Sequence, residues 1–208
     1  MKRAAQFAAI AILAIAGAAA GGCSLGLQPR PDESKFFVLS PIAAAPSSPS
    51  AGSIAMVIGI GPIKLPDYLE RQEIVTRVAP NRMVLSGTDR WAEGLDGNFT
   101  QVFAQDLGAT LGTQRIVFFP WYQTATIDYQ VQLDIYRFES DGSGTVTLTA
   151  HWQILDRHGK MLYVTDSTFT TTAASAGTTA VVAAMSTALG NLAQEIASKI
   201  ASMPAPRK

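Results

Sequence analysis

Tyr129-Gln130-Val131-Gln132-Leu133-Asp134-Ile135 alternates apolar and polar residues without a break, and this stretch decides the fold. Successive side chains of a strand point to opposite faces, so Tyr129, Val131, Leu133 and Ile135 share one face while Gln130, Gln132 and Asp134 share the other. The pattern returns in Val146, Leu148, Ala150, Trp152 and Ile154. After the turn residues Asp156-Arg157-His158-Gly159-Lys160, the segment from Met161 to Thr171 makes a third strand. Three half-apolar strands in succession predict an antiparallel meander with one covered face. The cover lies downstream. Val181, Met185, Leu189, Leu192, Ile196, Ile200 and Met203 mark one side of a helix, Ser186, Asn191, Glu195, Lys199 and Ser202 fall elsewhere, and Pro204 stops it.

Upstream, Leu95, Phe99, Phe103, Leu107 and Leu111 recur every four residues and Gly112 follows, which predicts a second amphipathic helix, starting at about Asp89 or Asp96, with a glycine C-cap. The expected class is therefore α+β: a mixed, largely antiparallel sheet containing the meander, covered by two main helices at about 89–111 and 177–203. Shorter strands are expected at 35–40, at 72–78 and 82–86 as a hairpin about Pro80-Asn81, and at 115–119 as a buried strand stopped by Pro120. Residues 43–52, rich in Ala, Pro and Ser, read as an exposed loop.

The most specific residue order is Gly59-Ile60-Gly61-Pro62-Ile63-Lys64-Leu65-Pro66-Asp67-Tyr68-Leu69-Glu70-Arg71. It ends an apolar strand at 54–60, and its glycines and prolines predict that the strand stops there. Pro66 suits the first position of a short helical turn, which leaves Tyr68, Leu69 and Arg71 projecting from a rigid corner. Tyr and Arg are favoured interface anchors, so Pro66, Asp67, Tyr68, Leu69 and Arg71 form a candidate docking surface; the alternative is a turn that merely packs on the domain.

The chain has 208 residues with 16 Lys plus Arg and 16 Asp plus Glu. Lys2 and Arg3 precede an apolar run from Ala4 to Ala20, then Gly21, Gly22 and Cys23, which reads as an export signal. Cys23 after small residues has the form of a bacterial lipoprotein cleavage site, at which the cysteine becomes acylated. At about 0.8 kcal/mol per buried methylene, several acyl chains hold a protein on a bilayer. Cys23 is the only cysteine, so the mature domain has no disulfide and no thiol nucleophile. The expected organisation is a signal peptide at 1–22, a lipidated N-terminus and tether at 23–34, one domain at 35–203 and a tail at 204–208. Without Lys2 and Arg3 the mature chain carries 14 basic and 16 acidic side chains, and it lacks the basic stripe that a nucleic-acid partner requires.

Downstream of the corner stand Asn81-Arg82, Arg90-Trp91-Ala92-Glu93 and Leu95-Asp96-Gly97-Asn98-Phe99. Together with the G-x-G-P-x-x-L-P-x-Y-L-x-R order, this resembles the ABC-type transport auxiliary lipoprotein family, in particular its PqiC-like members. The likeness extends from Phe36-Val38-Leu39 to Pro120-Trp121. Gly94 stands where many of these sequences have Pro, which bears on where the next helix starts. The resemblance implies a family motif of Gly59, Gly61, Pro62, Asn81, Arg82, Arg90, Trp91, Glu93 and Asn98, structural in role and grouped with the corner. It also implies an MCE-domain protein and an integral membrane transporter subunit as partners, lipid traffic between inner and outer membranes, and a place on the periplasmic face of the outer membrane, which Ser24 after Cys23 favours. Ringed partners would call for self-association of this chain.

A reaction centre is not legible. Gly59-Ile60-Gly61 lacks a third glycine and a Gly-Lys-Ser/Thr, and Pro62 removes a donor, so it is no phosphate loop. His151 and His158 have no partner at metal-ligand spacing, and no G-x-S-x-G elbow occurs. Asp67, Glu70, Glu73, Asp89, Glu93 and Asp96 are interleaved with Arg71, Arg77, Arg82 and Arg90, which favours salt bridges over paired catalytic carboxylates. Trp91 and Trp121 read as core anchors, and the sequon Asn98-Phe99-Thr100 is empty behind a bacterial-type export signal. No cofactor and no enzymatic activity are expected. A lipid-anchored hydrolase assembled from distant residues and a lipid-binding carrier with a cavity under the last helix are the rival classes.

Overall fold

The computed structural model describes residues 33–42, 56–121 and 126–204. Cys23, the signal segment, nearly all of the tether, the 43–52 loop and the tail from 205 lie outside the described residues. The elements run β1 (Lys35–Phe37), β2 (Ile58–Lys64), a 3-10 turn (Asp67–Leu69), β3 (Glu73–Ala79), β4 (Arg82–Trp91), α1 (Leu95–Leu111), β5 (Ile116–Phe118), β6 (Tyr129–Ser140), β7 (Thr145–Asp156), β8 (Met161–Thr172) and α2 (Thr178–Ala201). All eight strands join one sheet. Both helices pack on one face of it, and none among the described residues is long and apolar enough to cross a membrane.

The meander forms as the alternation predicts. β6, β7 and β8 pair antiparallel along their lengths, and Val131, Leu133, Leu148, Ala150, Trp152 and Ile154 are buried on the helix side. β6 carries a register shift between Ile135 and Arg137. One extra residue, Tyr136, reverses the phase, so Phe138 turns into the core and Glu139 stands on the opposite face beside Arg137. Along its other edge β6 pairs parallel with β2 from Tyr129 to Asp134, and with β3 only at Ser140. The edge between them, 135–139, is left for the 3-10 turn that connects β2 to β3.

Several boundaries differ from the sequence reading, each for a local reason. The chain does not leave the sheet at Gly61-Pro62: β2 continues to Lys64, absorbing the interruption in a register shift between Ile60 and Ile63, and the Gly61-Pro62 bond is cis. Of the two starts the sequence leaves open, α1 takes the later, beginning at Leu95 and not near 89, because β4 extends through Arg90 and Trp91 to pair with β1 and with the start of β3. β5 is not buried: it is the outer strand beside β2, and Phe118 is exposed. Ser186, placed by periodicity off the apolar face of α2, is buried and bonded to the segment that follows β1.

Candidate functional site

Two glycines bring β2 into the corner because side chains would not fit. A Cβ at Gly59 would lie 2.9 Å from both the Trp121 ring and Ile127, and Gly61 has a φ of +110°. Leu65 is buried, Pro66 is extended with φ −65° and ψ 143°, and the chain then makes one 3-10 turn closed by Leu69 N–H to the Pro66 carbonyl at 2.8 Å. Leu69 does not project: it is buried in the core. Tyr68 is half-buried, and its hydroxyl turns inward to donate to Glu139 Oε2 at 2.7 Å, with the Tyr136 carbonyl 3.4 Å away. The turn thus fills the open stretch of the β6 edge.

Glu139 is the hub of this arrangement. Its side chain is fully buried and accepts from Arg77 Nε at 2.5 Å, Arg137 Nε at 3.0 Å, the Tyr68 hydroxyl and the Phe138 N–H at 2.9 Å. Burial acts to raise its pKa, but the bonds from Arg77, Tyr68 and Arg137 outweigh that and hold it below the ordinary carboxylate value. Tyr68 moves the other way, pushed up to about 12 by burial and by its bond to a carboxylate. Arg77 also lies over the Tyr68 ring, 5.9 Å from its centre, and donates to the Pro80 carbonyl at 3.0 Å. These ion pairs and hydrogen bonds fix the corner to β3 and β6.

What remains open is a cleft of about 360 Å³ on the side of the corner next to α1. Antiparallel pairing returns the end of β4 to the start of β3, where Trp91 N–H donates to the Gln72 carbonyl at 2.7 Å, so Arg71 comes beside Trp91 and Glu93. Glu70 and Asp96 complete the rim. Trp91 is a buried wall, whereas Arg71, Glu93 and Asp67 are exposed. Arg90 pairs with Glu73 at 3.1 Å, and Glu73 sits below its ordinary pKa through backbone hydrogen bonding and that arginine. Gly94 is the N-cap of α1, and Asn98, one turn on, is buried and accepts the Leu39 N–H at 2.7 Å. Asn81 and Arg82 are not part of this group. They form the exposed turn at the far end of the β3–β4 hairpin, and seven residues at about 3.4 Å each separate them from the corner by more than 20 Å.

Elsewhere, His151 Nδ1 bonds Asp166 at 2.7 Å and its ring stacks near Tyr136 on the sheet face away from the helices. Ser167, on the opposite face, accepts from Trp152 and donates to Glu195, so it is not available to that histidine. No three His, Cys, Asp or Glu side chains among the described residues are placed to share a metal ion. The Glu139 hub was not found from sequence; the signal was the acidic residue four positions beyond Ile135, where the apolar phase of the strand should have continued.

Comparisons with known proteins agree with this architecture. A crystal structure of an uncharacterized protein superposes with a TM-score of 0.66 at 14% identity, over 80% of this chain and 98% of that one. A Xanthomonas campestris protein of the DUF330 family superposes with a TM-score of 0.63 at 16% identity, over 80% and 94%. Curated proteins give no match. The sequence profile of the ABC-type transport auxiliary lipoprotein component matches residues 37–197, which span every element from the end of β1 to most of α2. This chain therefore belongs to the ABC-type transport auxiliary lipoprotein family.

Proposed function

We propose that this lipoprotein is a non-enzymatic subunit of a transport system that includes an MCE-domain protein and an integral membrane component, and that it serves lipid movement between inner and outer membranes. Acyl chains on Cys23 hold it at the periplasmic face of the outer membrane, and the folded domain meets the transporter. The observation that carries this reading is the convergence of the motif residues Arg71, Trp91 and Glu93 on one open cleft whose backbone is pinned by Tyr68, Glu139 and Arg77. A rigid cleft with an exposed charged rim suits recognition of a matching surface and needs no reaction chemistry. In this reading Arg71, Glu93, Asp67 and Pro66 touch the partner, while Tyr68 and Leu69 hold them in place. Self-association, where it occurs, has a free template in β8, a long strand paired on one edge only among the described residues.

The test is capture of the purified MCE-domain partner by the full-length lipoprotein in detergent. Arg71→Ala/Glu93→Ala should lose at least about tenfold in affinity, the cost of one or two interface anchors. Equal capture by wild type and variant would remove the cleft from the interface.

A further inference from the structure

After β1 the chain crosses the helical layer as a strap, residues 38–42. Leu39 N–H donates to Asn98 Oδ1 of α1 at 2.7 Å, and Ser40 N–H donates to Ser186 Oγ of α2 at 3.1 Å. Ile42 sits against Gly190 of α2 so closely that a Cβ there would lie 2.4 Å from the Ile42 Cδ1. Beside Ile42, α1 presents Asp106, which shares a four-residue row with Asn98 and Val102 and is 2% exposed. Both of its carboxylate oxygens lack a hydrogen-bond partner among the described residues. The one group favouring its ionised form is the Ile42 backbone N–H, which falls short of hydrogen-bond geometry.

A buried carboxylate without a partner is costly when charged and tolerable when neutral. Among the described residues no hydrogen bond or ion pair to Asp106 offsets the charge. The strap, Val38-Leu39-Ser40-Pro41-Ile42, carries no titratable side chain, and neither does the sequence from 43 to 55. The other charged residue of α1, Asp96, is ten positions away, about 15 Å along the helix. α2 carries Glu195, bonded to Ser167 of β8 at 3.0 Å, and Lys199, 3.9 Å over the Tyr163 ring, so both face the sheet.

We propose that Asp106 is a proton-operated latch: as a neutral acid it lets the strap lie closed on the two helices, and as a carboxylate it drives Ile42 off Gly190 to admit water. Opening frees the strap side of an apolar groove of about 540 Å³ between Val38, Ile42, Val182 and Ala183. Burial pushes the Asp106 carboxyl from 3.8 up to about 6 in the closed form. An open form with an ordinary carboxyl is therefore favoured as pH rises through that interval, by up to about 100-fold for a difference of about two units.

Hydrogen exchange of the full-length lipoprotein in detergent at about pH 5 and about pH 7.5, corrected for intrinsic rates, tests this. The Leu39 and Ser40 amides should lose roughly tenfold of their protection at the higher pH, with Leu189 in α2 unchanged. Asp106→Asn, neutral at both values, should keep the strap equally protected at both, and Gly190→Ala should expose it at both. Wild-type protection that does not change, or Asp106→Asn protection that changes as much as wild type, overturns the latch. Should Asp106→Asn fail to fold, the carboxyl carbon resonance of wild-type Asp106 decides. A titration midpoint near 6 that coincides with strap opening supports the proposal, and a midpoint below about 4.5, or opening at a different pH, refutes it.

Discussion

The hydroxyl of Tyr68 lies 2.7 Å from the carboxylate of Glu139, across 71 residues of sequence. This bond joins the turn that breaks the β2–β3 connection to the one stretch of the β6 edge that no strand covers. It explains how a corner built from glycines and prolines is held rigid in a sheet whose strands fork around it.

Glu139→Gln removes the charge that Arg77 and Arg137 are arranged around and leaves two guanidinium groups facing each other over a half-buried site. A loss of about 2 to 3 kcal/mol is expected, below the value for a fully buried pair because both arginines are partly exposed. Urea unfolding followed by tryptophan fluorescence measures it.

Tyr68→Phe deletes one bond to a buried carboxylate and should cost about 1 to 2 kcal/mol. Arg71→Ala changes an exposed side chain at the cleft rim and should stay within about 0.5 kcal/mol of wild type. Thermal unfolding of the two variants separates support of the corner from its outward surface.

Gly59→Ala places a methyl group 2.9 Å from Trp121 and Ile127, and an overpacked contact of this kind costs about 1 to 3 kcal/mol. Gly97→Ala has open space around it and sits inside α1, so it should be neutral or slightly stabilising by up to about 1 kcal/mol. A pairwise comparison of melting temperatures checks the opposite signs.

Two carboxylates give stability opposite dependences on pH. Glu139 has a native pKa below its ordinary value, so its contribution is present above that ordinary value and is lost as pH falls through the native one. Asp106 has a native pKa raised to about 6, so the native state is favoured most below 3.8 and loses that advantage as pH rises toward 6. Urea midpoints across pH 3 to 8 should therefore fall on both sides of a mildly acid maximum. Asp106→Asn should flatten the neutral side alone, and Glu139→Gln the acid side alone.

Much of the fold was legible because the meander and α2 have strict periodicity over long stretches. From Tyr129 to Ile135 and from Val146 to Ile154 each residue's face follows from its parity, and the Val181 to Ile200 stripe is as clear. Parity failed at Tyr136, where a bulge carries no compositional mark, and with it went the reading of Glu139. At the corner the packing alternative holds for Leu69 and in part for Tyr68, which look like surface anchors until β6 supplies a carboxylate and a core beneath them, while Arg71 is exposed. Asp106 was missed because the Leu95 to Leu111 row accounts for only the sheet-facing side of α1. The row Asn98, Val102 and Asp106 faces the strap, and polar residues at its ends disguise its burial.

A photoreactive amino acid placed at position 71 of the lipoprotein in intact cells, with the same group at position 82 at the far end of the hairpin as comparison, shows whether the motif cleft meets the transporter. An adduct with the MCE-domain protein is expected from position 71, with little or none from position 82. Adducts of equal yield from both positions, or an MCE adduct from position 82 alone, would contradict it.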